Sequence, residues 1–229
     1  MIGPFKRRHL FTGREKRSIL LLVSIVLLFT LAPILENYET GGLLLILNLY
    51  ITLAAATSKL AEEGWLFRIT IPLATASMIL LLASHYYPAR PLLFTNYLVL
   101  AAFLALVSAS LFIYLGQRTQ ITRGRILVSV SLYFLLGLTW FALYNFINLV
   151  QPGSFAEAGT PLTGIIHWST MLYFSLVTLT TLGYGDVVAI KPTARMVATL
   201  EASAGVLYIA ITVARLVGSQ APSRDEPEH

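Results

Sequence analysis

The chain has 229 residues, of which 56% are hydrophobic and only 12% charged. That balance is wrong for a water-soluble domain and fits a polytopic membrane protein. Cysteine is absent, which excludes disulfides, thiolate metal sites and a cysteine nucleophile. The net charge is +5, but the placement of the basic residues matters more than their sum.

The chain opens with a basic segment holding Lys6, Arg7, Arg8, Arg14, Lys16 and Arg17. It is expected to lie on the cytoplasmic side, against anionic lipid headgroups. A basic stretch before an apolar run also marks signal peptides. No small-residue cleavage site follows Pro33, so the first helix is read as retained. Six apolar segments, at 18–35, 41–58, 69–87, 92–115, 125–150 and 193–218, are long enough for the roughly 20 helical residues that a bilayer demands. Between the last two, Gln151 to Pro192 is too polar and glycine-rich to span. Its apolar middle, 165–179, suits a half-membrane helix feeding a re-entrant loop buried in protein. The expected fold class is therefore all-α and polytopic.

Lysine and arginine fix the expected orientation. The N-terminal cluster, then Lys59 and Arg68, then Arg118, Arg123 and Arg125, then Arg215 and Arg224 all fall on one side of the six spans. Only Arg90, Lys191 and Arg195 fall on the other. The positive-inside rule puts both termini in the cytoplasm, in a plasma or inner membrane.

The most informative run is Thr178-Leu179-Thr180-Thr181-Leu182-Gly183-Tyr184-Gly185-Asp186. Carbonyl oxygens stacked toward one axis need backbone angles that most side chains resist and glycine tolerates. A ring of such carbonyls from four chains can replace the water shell of a potassium ion. The run matches T-x-T-T-x-G-Y-G-D at every fixed position, and the chain resembles the tetrameric potassium channels in their six-span, single-pore-loop form. Loop direction places Asp186 at the outer mouth, where that superfamily has its filter acid.

The resemblance implies residue roles. Thr181 would give a hydroxyl and a carbonyl to the innermost ion site, and Leu182, Gly183 and Tyr184 carbonyls to the sites above, with Gly185 at the outer exit. K+ is thus the permeant ion and no cofactor is implied. Leu182 departs from the usual valine, but its side chain is expected to face away from the ion. Tyr184 would pack its ring outward against the pore helix. Tyr173, in the aromatic cuff before the threonines, would bond Asp186 or simply pack; Thr180 and Asp186 would support the filter. The division implied is a cytoplasmic N-terminus (1–17), a four-helix peripheral domain (18–115), a linker (116–124), a pore domain (125–218) with filter 181–185, and a cytoplasmic tail (219–229). The pore helix would aim its C-terminal end at the membrane centre, where its dipole favours a cation.

In the last span, Ala194, Ala198 and Ala202 form a small-residue face for close helix contact. Gly205 is either a gating hinge or a packing position. Glu201 is the lone acid inside a span; a buried carboxylate is costly unless paired or protonated. It either bonds hydroxyls on the pore helix or titrates and influences gating. The short linker favours a peripheral bundle that packs on its own pore.

The peripheral helices depart from voltage-gated members. No charged residue lies from Pro91 through Gln117, whereas a sensor needs about 3–4 gating charges per subunit. Steep voltage gating is not expected. Ala101, Ala105 and Ala109 suit tight packing. Asn48, Asn145 and Asn148 are expected to bond between helices, and His85-Tyr86-Tyr87 to sit in an interfacial belt. The histidines lack metal-ligand spacing, and no nucleophile–base pair suggests an enzyme.

The tail after Gly218 is too short for a nucleotide- or calcium-binding module, so such control would need a separate regulatory subunit. The expected partners are K+, membrane lipids and three further copies of the chain in a homotetramer, with no nucleic acid. The expected function is passive, potassium-selective conduction without strong voltage gating. The alternatives are an accessory or non-conducting channel subunit, and a potassium transporter component, which would carry several degenerate filters rather than one intact copy.

Overall fold

The computed structural model describes residues 13–38, 40–60, 65–116 and 122–218. The N-terminal basic cluster through Arg8, Glu39, Glu62, Glu63, Arg118 and the tail from 219 lie outside the described residues. Seven helices follow in order: α1 (Gly13–Leu35), α2 (Gly41–Leu60), α3 (Trp65–Tyr86), α4 (Arg90–Gly116), α5 (Arg123–Val150), α6 (Trp168–Leu179) and α7 (Pro192–Gly218). All except α6 are long and apolar enough to cross a membrane. The fold is that of an all-α polytopic membrane protein. These helices are apolar around most of their circumference, as lipid-embedded helices are.

Two prolines lie inside helices, and each removes one intrahelical N–H donor. Pro72 lies in the first part of α3 and Pro33 in the last turn of α1. Beyond Pro33, Asn37 Nδ2 donates to the Pro33 carbonyl at 3.1 Å, and the Tyr38 N–H to the Leu35 carbonyl at 3.0 Å. The exit of α1 is thus a defined turn.

The bundle packs in chain order, α1 on α2, α2 on α3, α3 on α4, and α4 along α5. Helix α1 also reaches α5 and α6, so the four-helix bundle leans directly on the pore half of its own chain. The seam is built from Leu21, Ile25 and Leu28 of α1, Leu45, Leu49 and Leu53 of α2, and Leu100, Phe103 and Leu104 of α4, all nearly fully buried. Their three- and four-residue spacing keeps each set on one helix face. The Asn48 amide, oriented to satisfy both groups, donates to the Ser24 carbonyl at 3.3 Å and accepts from the Leu28 N–H at 3.0 Å, bridging α2 to α1.

Three short strands were not expected from the sequence: β1 (Phe155–Glu157), β2 (Thr160–Pro161) and β3 (Val187–Ala189). They form an antiparallel sheet in the order β2-β1-β3. Strands of two or three residues are too short to carry an alternating pattern. β3 begins directly after Asp186, and its pairing of Phe155 with Ala189 and Glu157 with Val187 ties the end of the glycine-rich run to the loop that follows α5.

Three expectations are corrected. Helix α6 begins at Trp168 rather than at 165, because His167 adopts an extended backbone (ψ 139°). Among the described residues Asn145 does not bridge helices: its Nδ2 donates to the Phe141 carbonyl of its own helix at 2.9 Å. Asn148 does not bridge helices either; it holds the loop, donating to the Gly164 carbonyl and accepting from the Ser154 N–H.

Helix α7 is the exception to the good burial elsewhere. Met196, Leu200, Val206, Leu207, Ile209 and Val213 all remain more than half exposed. An apolar face of that extent needs lipid or protein to cover it.

Candidate functional site

The site is built from the C-terminal end of α6. Thr180 caps this helix: its N–H donates to the Leu176 carbonyl at 3.0 Å and its hydroxyl to the same carbonyl at 2.6 Å. The chain then turns back on the helix end. The Thr181 N–H donates to the Thr178 carbonyl at 2.9 Å, while the Leu182 and Gly183 N–H groups both reach the Val177 carbonyl, at 2.9 and 3.3 Å.

The backbone alternates in hand along this run. Thr181, Gly183 and Gly185 have φ of +59°, +55° and +83°, and Leu182 and Tyr184 between them do not share the positive sign. Alternation of this kind turns successive peptide planes so that their carbonyls face one side. A Cβ at Gly183 or Gly185 would meet no atom within 4 Å in this chain, so the left-handed backbone, not crowding, calls for glycine there. Thr181 holds the same conformation with a β-branched side chain, at a cost of about 1–3 kcal/mol of the kind that collects at functional sites. Among the described residues no hydrogen bond is made to the carbonyls of residues 181–185.

The far end of the run is tied by Asp186. Its Oδ2 accepts from the Tyr173 hydroxyl at 2.6 Å, its Oδ1 from the Val187 N–H at 2.9 Å, and its carbonyl from the Ala158 N–H at 2.9 Å. The Tyr173 hydroxyl, foremost, and then the backbone N–H groups hold the Asp186 carboxyl below its ordinary value of 3.8.

Behind the run lies a buried polar knot. Glu201 of α7 is fully buried. The Tyr144 hydroxyl of α5 donates to its Oε2, and Ser175 Oγ of α6 lies 2.6 Å from its Oε1 and 2.8 Å from the Gly137 carbonyl of α5. A serine has one hydroxyl proton and cannot donate to both acceptors. Every bond in the knot has its proton when the Glu201 carboxyl carries one, donating to Ser175 while Ser175 donates to Gly137. An apolar wall surrounds it: the rings of Tyr144, Phe155 and Phe174 meet edge to face at centroid separations of 5.0–5.3 Å. One acid thereby joins α5, α6 and α7.

Gly205 lies one helical turn further along α7. A Cβ there would overlap the Leu179 carbonyl oxygen, and the Tyr133 hydroxyl donates to that same oxygen at 3.1 Å. Glycine lets α7 touch the end of α6, and α7 runs unbroken through this position. In this structure it is a contact position.

Tyr184 does not pack on the pore helix of its own chain. Its ring is 70% exposed, and Leu182 is 58% exposed. Sequence reading missed the parts of Tyr144 and Tyr133; their signal is a polar-tipped side chain inside an apolar span, which needs a partner there. Among the described residues, no three His, Asp or Glu side chains converge to hold a metal ion.

Residues 128–218, which contain this whole arrangement, match the family model described as "Ion channel". A segment of 65 residues is 38% identical to the potassium voltage-gated channel protein shk-1 of Caenorhabditis elegans. That segment is 28% of this chain and 12% of the worm protein, so the likeness spans a small part of that relative. No solved structure matches the chain.

Two outcomes test this geometry. Glu201→Gln offers the same pattern as a protonated acid, an oxygen for Tyr144 and an N–H for Ser175, and is expected to lower stability by under about 1 kcal/mol. Glu201→Ala strands both hydroxyls and is expected to cost about 2–5 kcal/mol. Thermal unfolding in lipid compares them; equal damage from the two would favour an ionised carboxylate. For Asp186, a value below the ordinary one means that its bond to Tyr173 is fully present above the usual carboxylate range and is lost as pH falls through the lowered value. Tyr173→Phe is expected to bring the Asp186 titration, read by carboxyl carbon NMR, up toward 3.8; an unchanged midpoint would remove Tyr173 as the cause.

Proposed function

Since the chain belongs to the potassium channel superfamily through its pore-forming segment, we propose that it is the subunit of a homotetrameric channel that conducts K+ passively and selectively. The observation that carries this reading is the alternation of φ sign along residues 181–185, whose carbonyls accept no hydrogen bond among the described residues. One such run per chain makes a quarter of a coordination cage, and four copies about a common axis close it. The exposed rings and apolar face of Tyr184, Leu182 and α7 are what such an axis would cover.

The roles follow the motif. Thr181 supplies a carbonyl and a hydroxyl, and Leu182, Gly183 and Tyr184 supply carbonyls, to a queue of K+ ions. Gly185 forms the exit; Thr180, Tyr173 and Asp186 hold the run; Glu201 and Gly205 fasten α7 to the pore helix. Helix α6 directs its negative end toward the ion path from below. Both termini lie in the cytoplasm, with Asp186 at the outer mouth. Residues 18–115 form a lipid-facing wall and 125–218 the pore. No chemistry on a substrate is required, since the ion moves down its own gradient.

Reconstituted protein is expected to pass K+, exclude Na+ and be blocked by Ba2+. Gly183→Ala forces a left-handed residue to carry a Cβ, costing about 1–2 kcal/mol at each subunit, and is expected to abolish selectivity or conduction. Equal passage of K+ and Na+ by the unmodified protein, or unaltered K+ preference in Gly183→Ala, would refute the assignment. No flux at all from a tetramer would instead favour an accessory subunit.

Because α4 carries no charge between Arg90 and its end at Gly116, open probability is expected to vary shallowly with voltage. Its slope should correspond to well under the roughly 3–4 charges per subunit of a sensor. A steep activation curve in single-channel recording would reverse this.

A further inference from the structure

We propose that Glu36, in the turn after α1, is a positioning residue for the ion filter: its carboxylate caps the pore helix α6 from the peripheral bundle. This rests on the reading of residues 181–185 as a K+ filter.

A helix leaves its first four N–H groups without partners inside the helix. Helix α6 has no local solution, since the residue at its cap position is His167, whose side chain makes no capping bond. Glu36 supplies the cap from more than 130 residues away. The Trp168 N–H donates to its Oε1, and the Ser169 N–H donates to its Oε2 at 3.1 Å. The Ser169 hydroxyl donates to Oε2 as well. The carboxylate is well sheltered, its side chain 14% exposed, and His167 Nδ1 stands 3.8 Å away. A charged acceptor facing backbone N–H groups at a helix start makes the stronger class of hydrogen bond and complements the helix dipole.

The cap is rigid at both ends. Glu36 is set by the bonded turn beyond Pro33. Trp168 packs edge to face on Phe141 of α5 at 5.7 Å. From there α6 runs 12 residues to Leu179, roughly 18 Å, and in its last turn the Val177 carbonyl takes the N–H groups of Leu182 and Gly183. A shift of α1 relative to the pore is therefore delivered to the filter backbone along one stiff helix. The chemistry also explains why glutamate is needed. A carboxylate presents two acceptor oxygens to three donors, whereas glutamine would turn an NH2 group toward N–H groups that need an acceptor.

The test uses the full-length channel in lipid. The K+ concentration giving half of the K+-dependent rise in tetramer melting temperature is measured, with Na+ as the reference ion, alongside Ba2+-sensitive K+ flux. Glu36→Ala and Glu36→Gln are expected to raise that concentration by roughly tenfold, within the range for losing a helix cap. Glu36→Asp keeps both oxygens and is expected to recover part of the shift; Tyr38→Phe, in the same turn and exposed, should match the parent. If Glu36→Ala does not assemble, the glutamine and aspartate variants supply the same comparison. Variants that melt lower by the same amount in K+ and in Na+, with an unchanged K+ midpoint, would show that Glu36 only secures the bundle and would overturn the proposal. A parent protein that conducts K+ while its Glu36 variants behave identically overturns this inference alone. A parent protein with no K+-dependent stabilisation overturns the filter reading along with it.

Discussion

A backbone run that turns its carbonyls to one side cannot use them to hold itself in place, and this constraint organises the pore half of the molecule. Residues 181–185 are fastened instead through neighbouring groups. Their leading N–H groups are pinned to carbonyls of the last turn of α6, and their trailing end is pinned through Asp186 to Tyr173, Val187 and Ala158. Both anchor sets use one short helix and one small sheet. The strain of a left-handed Thr181 is tolerable because those anchors over-determine the chain on either side of it.

The same helix must be prevented from moving, and here the structure uses polar bonds inside an apolar shell. Glu201, Tyr144, Ser175 and the Gly137 carbonyl form one connected set, wrapped by the aromatic rings of Tyr144, Phe155 and Phe174. At membrane depth no water is at hand to satisfy a stray donor, so a fully partnered set defines a single arrangement of α5, α6 and α7. Gly205 and Tyr133 add a second joint on the Leu179 carbonyl. Helix α7 is thus keyed to α6 at two levels one turn apart, while much of its surface is left apolar and exposed.

The peripheral helices take on a clearer purpose in this light. Helices α1 and α4 pack along α5, and α1 also reaches α6. The joint at α6 is a carboxylate on backbone N–H groups, while the seam of α4 on α5 adds guanidinium bonds from Arg90 to the Leu149 carbonyl and from Arg125 to the Leu115 carbonyl.

Much of this was legible in the amino-acid order. Six long apolar runs declare six spans because a bilayer sets a length that composition alone can meet. The T-x-T-T-x-G-Y-G-D run stands out because it sets glycine at 183 and 185, where the backbone is left-handed. Three things were hidden. Strands of two or three residues are below any periodic signal. The start of α6 lies at Trp168 because the backbone is still extended at His167. The partners of Glu36 and Gly205 lie tens of residues away, so no local pattern names them, whereas a hydroxyl of α6 was among the expected partners of Glu201, and Ser175 supplies it. Local sequence determines which segments enter the membrane and which carbonyls lack partners. Which acid meets which helix end depends on how the helices pack, because a hydrogen bond is chosen by distance in space and not by distance along the chain.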